Sequence, residues 1–249
     1  MAIEYNNPKI VTDGIVFYLD AANSKSYPGS GTNWYDLTTN NSTFELVNGP
    51  THTTNNSGSF SFDGTDDYAQ SNSFYTSRFF VENQDFTVMS FNMATSTMPG
   101  NGRSGIFANQ RYFSEPNPGG FGINIYPTDK YCMNLTHDDG AGTKVSYQNE
   151  VQIPIVLNEK CCITYTFTNS DNTIRGYKND SLVNSNTNTS YKWSPREANL
   201  FPTTIGTSSQ GGWGNSFPGE IYNVFVYDRA LTAEEVSQNF NALRGRYGI

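Results

Sequence analysis

Charged residues are scarce in this sequence of 249 residues. Asp, Glu, Lys and Arg make up 15% of it, where about 25% is usual for a globular domain. Ser, Thr, Asn and Gln fill about a third of the chain instead. This composition excludes a coiled coil, and an aromatic content of 14% opposes disorder, because disordered chains have few aromatic residues.

Positively charged residues are fewer than negatively charged ones, and long apolar runs are missing. The 15 Lys and Arg against 23 Asp and Glu give a net charge of −8, which opposes nonspecific binding to nucleic acid. No run of about 20 apolar residues is present, so no membrane insertion is expected. Residues 1–6 lack the basic and apolar regions of a secretion signal, so we expect synthesis without one.

The sequence has only three cysteines and two histidines, and so few candidate residues for disulfides, zinc binding or nucleophilic catalysis. Cys161 and Cys162 are adjacent and point to opposite faces of a strand, so we expect free thiols. Zinc is not expected without a Cys-x-x-Cys pair. His52 and His137 lie in polar stretches without a nucleophile motif, and we expect both to be exposed surface residues.

Apolar and polar residues alternate with a period of two along much of the chain, which predicts β-strands. In residues 161–168 the apolar side chains alternate with Cys162 and three threonines, which predicts one buried face and a threonine-rich outer face. Residues 221–227 are continuously apolar or aromatic, which predicts a strand covered on both faces. Asn179 and Asp180 predict a hairpin turn. Shared strand faces are further predicted for Ile15, Phe17 and Leu19; Phe60 and Phe62; Met89, Phe91 and Met93; and Phe121, Ile123 and Ile125.

Helical periodicity is convincing once, near the end of the chain. Thr232 and Glu235 have the spacing of a capping box, and Val236, Phe240 and Leu243 follow as one apolar stripe. Gly245 is expected to end the helix in the left-handed conformation. We expect this helix to pack on an edge or end of the strand layers.

Polar loops, among them residues 40–57, separate the strands evenly and mark no domain boundary. The prediction is an all-β fold, a two-sheet antiparallel jelly-roll sandwich with one short C-terminal helix. It forms a single domain over residues 13–249, preceded by an N-terminal arm or tail over residues 1–12.

Three segments resemble laminin-G-like, concanavalin A-like jelly-roll domains. Residues 62–68 (FDGTDDY) resemble an early strand and turn of these domains, residues 217–224 (FPGEIYNV) their closing strand, and residues 227–236 (YDRALTAEEV) the capped turn that follows. At another turn of the family, residues 177–180 (YKND) lack the expected glycine. The resemblance implies the jelly-roll fold for most of the chain.

The two ends carry a narrower resemblance. Residues 13–23 (DGIVFYLDAAN), 26–31 (SYPGSG) and 34–37 (WYDL), together with the ending 238–249 (QNFNALRGRYGI), resemble structural proteins of tailed bacteriophages, notably cyanobacterial and marine phages. This resemblance implies a virion component, either a capsid decoration protein or a protein of the tail or fibre. Its implied partners are other virion proteins and further copies of itself in the particle, assembled in the host cytoplasm.

Catalysis is not expected. A glycosidase on this fold needs two carboxylates that flank the scissile bond. The nearest pattern, at residues 220–223, has Asn223 where an acid is needed, and the adjacent Asp66 and Asp67 would face opposite ways on an extended backbone. A polysaccharide hydrolase is therefore the least favoured alternative.

Two kinds of binding site stay open. A host glycan, in an adhesin or receptor-binding module, would need an aromatic platform beside hydrogen-bonding groups. Trp213 with Asn215 is the first candidate and Tyr191 with Trp193 the second, although burial is the commoner role of such aromatics, and Trp34 is expected to be packed. Calcium is the one metal with candidate ligands, and no cofactor is required. These candidate ligands are Asp63, Asp66, Asp67, Asp138 and Asp139, although an Asp-Gly sequence also turns without metal.

Overall fold

The computed structural model describes residues 8–71, 81–97, 104–111, 119–126, 129–138, 144–194, 202–208 and 216–249. Within these ranges the strands, in chain order, are β1 (Ile15–Asp20), β2 (Asn33–Tyr35), β3 (Thr43–Val47), β4 (Thr51–Thr53), β5 (Ser59–Asp63), β6 (Tyr68–Ser71), β7 (Phe86–Ala94), β8 (Ser104–Arg111), β9 (Gly119–Tyr126), β10 (Lys130–Asp138), β11 (Lys144–Pro154), β12 (Cys161–Thr168), β13 (Thr173–Lys178), β14 (Ser181–Thr187), β15 (Thr204–Ile205) and β16 (Pro218–Tyr227). One 3-10 turn (Asn55–Ser57) and one helix, α1 (Ala233–Tyr247), complete the described elements.

The strands form two eight-stranded antiparallel sheets. The first sheet has the order β14-β13-β12-β7-β16-β5-β4, with β1 paired to β16 beside β5. The second sheet has the order β11-β10-β9-β8-β15-β6-β3-β2. This architecture confirms the predicted two-sheet jelly roll with a short C-terminal helix. In the described residues no helix is both long and apolar enough to cross a membrane.

The main core lies between the two sheets, and the predicted apolar face of β12 lines it. Cys161, Ile163, Tyr165 and Phe167 all belong to this core. The prediction that the other, threonine-rich face of β12 is an outer face is wrong, because Cys162, Thr164 and Thr166 are all buried. Thr164 is completely buried. Its direct neighbours on the flanking strands are Met89 and Tyr177, and these larger side chains belong to a second apolar cluster.

This second cluster lies on the outer face of the first sheet, under α1. Strands β7 and β16 contribute aromatic side chains to it, and the helix contributes Val236, Phe240 and Tyr247. The ring of Phe91 lies 6.1 Å from that of Phe240 and 4.8 Å from that of Tyr247. The prediction that residues 221–227 are covered on both faces is confirmed. The prediction that the helix packs on an edge or end is wrong, because α1 lies across the middle of the sheet.

The predicted capping box begins the helix. Glu235 N donates to Thr232 Oγ1 at 3.3 Å, and Thr232 N donates to Glu235 Oε2 at 2.9 Å. The predicted end at Gly245 is wrong, because the helix continues through it to Tyr247. Gly248 instead takes the left-handed position, with φ of 73°, and its N–H caps the Arg244 carbonyl.

A segment predicted as a loop contains strands, and two histidines predicted as exposed lie in strands. Residues 40–57 contain β3 and β4, and His52 is half-buried in β4 because its ring packs 5.2 Å from that of Phe60. His137 lies in the interior strand β10 and is only 2% exposed. The prediction of two exposed histidines is therefore wrong, since a polar sequence context says nothing about the strands that pair beside it.

Part of the predicted N-terminal arm packs on α1. Val11 N donates to Asn239 Oδ1 at 2.7 Å, Tyr227 Oη donates to Val11 O at 3.0 Å, and Gln238 Nε2 donates to Lys9 O at 2.7 Å. Residues 1–7 of that predicted arm lie outside the described residues.

The capping box gives a direct test of the helix boundary. Replacing Thr232 by Ala removes the oxygen that accepts from Glu235 N, and we expect the free energy of unfolding to fall by about 1 kcal/mol. Urea denaturation measures this change. Thr232→Ser keeps the hydroxyl and is the control. Equal stability of the two variants would contradict the role of the cap.

Candidate functional site

An acidic turn connects β5 to β6. Asp63 Oδ1 accepts hydrogen bonds from Thr65 N at 2.7 Å and Asp66 N at 3.3 Å, and Asp67 Oδ2 accepts from Asp63 N at 3.0 Å. This folding back brings one carboxylate oxygen from each of Asp63, Asp66 and Asp67 within 4.8 Å of the others. The prediction that Asp66 and Asp67 face opposite ways is wrong, because it assumed an extended backbone and the chain turns here.

Two side chains from other loops hold the acidic turn in place. Asn48 Nδ2 donates to Asp66 O at 2.9 Å, and Ser216 Oγ donates to Asp63 Oδ1 at 3.2 Å. These contacts join the β3–β4 connection and the chain before β16 to the same turn. The three carboxylates therefore belong to a turn whose backbone is fixed by other loops.

The acidic turn carries like charges in close proximity. Burial raises the pKa of Asp63, but hydrogen bonds from Thr65 N and Asp66 N outweigh it, and the net pKa lies below the usual value. Burial, and then the charges of Asp63 and Asp66, raise the pKa of Asp67 despite its hydrogen bond from Asp63 N. The ionised form of Asp67 consequently opposes folding unless a cation balances it.

The spacing of the acidic oxygens fits a calcium ion. Ca²⁺ binds oxygen ligands at about 2.3–2.6 Å, so two oxygens on opposite sides of one ion lie about 5 Å apart. The three oxygens within 4.8 Å satisfy that limit. Of the other predicted ligands, Asp138 is the last residue of β10, and Asp139 lies outside the described residues.

The second predicted aromatic platform is wrong, because both of its residues are buried. Trp193 is 0% exposed, its ring is edge-on to Phe86 and Phe121 at 5.4 and 5.0 Å, and its Nε1 donates to Gln84 O at 3.0 Å. Tyr191 is also buried, and its hydroxyl donates to Glu150. Trp34 is buried as predicted. Trp213 and Asn215 lie outside the described residues.

A cleft that the sequence did not indicate opens between the chain that follows β1 and the segment around β4. Its volume is ≈ 300 Å³, and the rings of Tyr27 and His52, 4.6 Å apart, line it. The hydroxyl residues Ser24, Thr54 and Ser57 line it too. His52 Nε2 lies 2.9 Å from Ala21 O, and because a carbonyl only accepts, Nε2 carries the proton. In the neutral ring Nδ1 is then an acceptor.

The lining of this cleft suits a small neutral molecule with hydroxyl groups. Ring faces contact apolar C–H surfaces, and hydroxyl and imidazole groups form hydrogen bonds. No charged residue is among the described residues that line it. The signal that sequence reasoning missed is the Tyr27-Pro28-Gly29 turn, which places an aromatic ring opposite a histidine on a distant strand.

An ion pair between the buried Asp20 and the partly exposed Arg246 lies near this cleft. Asp20 Oδ2 accepts from Arg246 Nη2 at 2.9 Å and from Tyr18 Oη at 2.6 Å, and Asp20 Oδ1 accepts from Ala22 N at 3.0 Å. Ser57, which lines the cleft, donates its hydroxyl hydrogen to Arg246 O. The end of β1 and the end of α1 are thus joined beside the cleft.

The carboxylate nearest to a glycosidase pattern is held by structural contacts. Glu220 Oε2 accepts from Tyr222 Oη at 2.7 Å and from Ser59 Oγ at 3.2 Å. Asn223, which stands where an acid would be needed, accepts from Phe91 N at 3.0 Å and donates to Tyr247 Oη at 2.8 Å under the helix. Both side chains are therefore held by hydrogen bonds within the fold.

The three cysteines are free, buried thiols. Burial raises the pKa of Cys161 to about 11 and that of Cys132 to about 12, and it raises the pKa of Cys162 well above its usual value. Thiols in this state are weak nucleophiles near neutral pH.

Two stacked antiparallel sheets with these loop sites define a jelly-roll domain of the lectin and glucanase type. A family model described as "Concanavalin A-like lectin/glucanases superfamily" matches residues 63–237. The chain belongs to this family, as the resemblance in residues 62–68 and 217–236 implied. A comparison with curated protein sequences found no significant match.

Solved structures show the same fold. Trypanosoma rangeli sialidase in complex with sialic acid matches with a TM-score of 0.62 and 15% identity, over 95% of this chain and 34% of that one. The binding domain of Paraclostridial Mosquitocidal Protein 1 matches with a TM-score of 0.64 and 15% identity, over 92% of this chain and 52% of that one. The chain thus spans between about a third and about half of these relatives' length. At such low identity the likeness concerns the fold.

The acidic turn predicts a calcium-dependent stability. We expect Ca²⁺ to raise the melting temperature of the wild-type protein over its value in EDTA, and we expect Asp66→Asn to abolish this rise. In EDTA the same variant should be at least as stable as the wild type, because it removes repulsion from Asp67. Differential scanning fluorimetry measures both effects.

Glu45→Gln removes an exposed negative charge from β3 and is the matched control for Asp66→Asn. It should keep the full calcium response. Equal calcium shifts in the wild type and Asp66→Asn, or no shift in the wild type, would contradict a metal site in the acidic turn.

Proposed function

We propose that this chain is a non-enzymatic structural component of the virion of a tailed bacteriophage. It attaches to the capsid or to the tail by docking onto other virion proteins. The observation that carries the proposal is the resemblance of residues 13–23 and 238–249 to structural proteins of such phages. These segments lie at opposite ends of the sequence and contact each other in the fold.

The contacts between the two ends support a shared structural role. Asp20 of the opening segment pairs with Arg246 of the closing segment at 2.9 Å. Further along the same helix, Gln238 Nε2 donates to Lys9 O, and Asn239 Oδ1 accepts from Val11 N. A mutation in one segment therefore affects the packing of the other, which is a physical reason for both patterns to occur together.

The chemistry of the described side chains supports a non-enzymatic role. Glu220 and Asn223 form hydrogen bonds within the fold, and the buried thiols have raised pKa values. Catalysis of glycoside hydrolysis needs a proton donor and a second carboxylate on either side of a bound sugar. The acidic turn places the exposed carboxylates of Asp63 and Asp66 beside the buried carboxylate of Asp67, an arrangement that suits cation binding better than acid–base catalysis.

A second candidate function is glycan binding by the cleft that Tyr27 and His52 line. The specific observation in its favour is that these two rings and the hydroxyl residues Ser24, Thr54 and Ser57 line one cleft of ≈ 300 Å³, which is room for one sugar ring. The fold relatives include a sialidase in complex with sialic acid and the binding domain of a toxin. Attachment to a virion and binding of a host glycan are compatible in one protein.

Purified phage particles test the virion role. We expect mass spectrometry to detect this chain in particles after density-gradient purification, and we expect electron microscopy to place its β-sandwich at a repeated position on the capsid or tail. Peptides found in the infected cell but not in the purified particle would reject the proposal. Particles stripped of the chain and then incubated with purified protein should regain it at the same position.

Host-polysaccharide arrays test the second function. We expect Ser24→Trp, which fills the cleft from an exposed position, to weaken binding at least about tenfold, which corresponds to about 1.4 kcal/mol. Lys25→Trp, at the exposed neighbouring residue, is the control and should bind normally. Loss of binding in Trp213→Ala alone would move the site to Trp213 and Asn215. Release of new reducing ends would contradict the non-enzymatic role.

A further inference from the structure

The edges of the two sheets differ in how they are protected. An edge strand presents unpaired backbone N–H and C=O groups, and proteins shield such edges by short strands, bulges, prolines or charged side chains. Among the described strands, β2 and β4 end their sheets and have three residues each. The free side of β1 is covered by the following loop, where Leu37 N donates to Tyr18 O at 2.9 Å and Asn40 Nδ2 donates to Val16 O at 2.7 Å.

Strand β11, the other edge of the second sheet, is protected along its length. Its pairing with β10 shifts register twice, and Asn149 and Val151 have positive φ values of 64° and 49°. Such bulges twist an edge away from regular pairing. The strand also carries Lys144 and Glu150 and ends at Pro154.

Strand β14, the remaining edge of the first sheet, has much weaker protection. All seven of its residues are exposed, and β13 is the only described strand that pairs with it, with one register shift. Residues 181–191 contain no charged residue and no proline. A long, uncharged and exposed edge of this kind is a template for pairing with another strand.

Exposed apolar side chains concentrate at the same end of the sandwich as the start of β14. Among the described residues six large hydrophobic side chains are exposed. Four of these six lie at this end: Leu182 (54% exposed), Val183 (45%), Val156 (50%) and Leu157 (40%). The ion pair between Lys178 and Glu159, at 2.6 Å, joins the β13–β14 hairpin to the β11–β12 loop that carries the second two. We name these four residues the β14 corner.

We propose that β14 pairs antiparallel with the β14 strand of a second copy of this chain. The pairing forms a two-fold dimer in which the first sheets of the two copies join edge to edge. The β14 corner then lies beside the two-fold axis and loses its contact with water. This self-pairing is independent of the virion role and would serve any assembly built from several copies.

Charge repulsion between two copies is limited at this edge. Two chains that each carry a net charge of −8 repel each other, but residues 181–191 are uncharged, and the nearby Lys178 is paired with Glu159. Two carboxylates lie beside the strand, and both accept hydrogen bonds: Asp180 from Ser181 Oγ, and Glu150 from Asn186 Nδ2 and Tyr191 Oη.

The backbone edge of β14 is also complementary to itself. Three of its side chains are hydrogen-bonded within the chain, Asn184 to Gln152 O, Asn186 to Glu150 and Thr187 to Thr173. The outward N–H and C=O groups of the strand, together with the hydroxyl of Ser185, both donate and accept hydrogen bonds. An isologous two-fold contact requires this property, because the same patch must match itself.

Analytical ultracentrifugation over a range of concentrations tests the dimer. We expect a reversible monomer–dimer equilibrium in the wild type. The double substitution Leu182→Lys and Val183→Lys should weaken it at least about tenfold, because it places like charges at the axis. Val81→Lys replaces another exposed apolar residue (69% exposed) outside the β14 corner and should leave the equilibrium unchanged.

A single-cysteine scan over residues 182–186 tests the register. The native thiols are buried, so only the introduced cysteine is accessible to an oxidant. Residues directly opposite in an antiparallel pair lie about 4.5–5.5 Å apart, within disulfide range, and only a residue on the two-fold axis faces its own copy. We therefore expect one position with the highest yield of disulfide-linked dimer.

Three results would overturn the proposal. The first is a monomer at every concentration, and the second is a dimer that the double lysine variant does not weaken. The third is a monomer whose β14 edge binds a different virion protein, with loss of that binding in the double lysine variant. Circular dichroism of each variant verifies that the fold is retained.

Discussion

Burial of the central strand β16 on both faces is the constraint on which the rest of the structure depends. Ile221, Val224 and Val226 enter the core between the sheets, and Tyr222, Phe225 and Tyr227 lie in the cluster under α1. A run of large apolar side chains on both faces needs a cover on both. The second sheet provides one cover and α1 provides the other, so the helix is an integral part of the domain.

The position of α1 then determines how the two ends of the chain meet. Strand β1 pairs with β16, so a helix lying across β16 reaches the end of β1, and Arg246 meets the buried carboxylate of Asp20. Burial of a charge is costly unless it is paired and hydrogen-bonded. Tyr18 Oη and Ala22 N supply the further hydrogen bonds. The cleft, the ion pair and the two end segments therefore form one structural unit at the side of a rigid sandwich.

Features that depend on neighbours in the sequence were predictable from it. The capping box of Thr232 and Glu235, the alternation in β12 and the two apolar faces of β16 involve residues within a few positions of each other. The hairpin turn at Asn179 is confirmed as well. Asn179 adopts φ of 60° and so takes the positive φ that the absent glycine would have provided, since asparagine tolerates this conformation better than most residues.

Features that depend on distant contacts were not predictable. Ile15 was expected to share a face with Phe17 and Leu19, but the register shifts between Ile15 and Phe17, and Ile15 packs against the helix cluster instead. Trp193 is a candidate platform and His137 an exposed residue by sequence, but Phe86 and Phe121 pack against Trp193, and His137 is buried in β10. Periodicity and capping are local, so the residues alone predict the strands, the helix cap and the sandwich. The meeting of Asp63, Asp66 and Asp67 is local as well, but it depends on a turn of the backbone that an extended chain does not have. The covered faces and the open edge depend on strands that are far apart in the chain, so the folded structure alone reveals them.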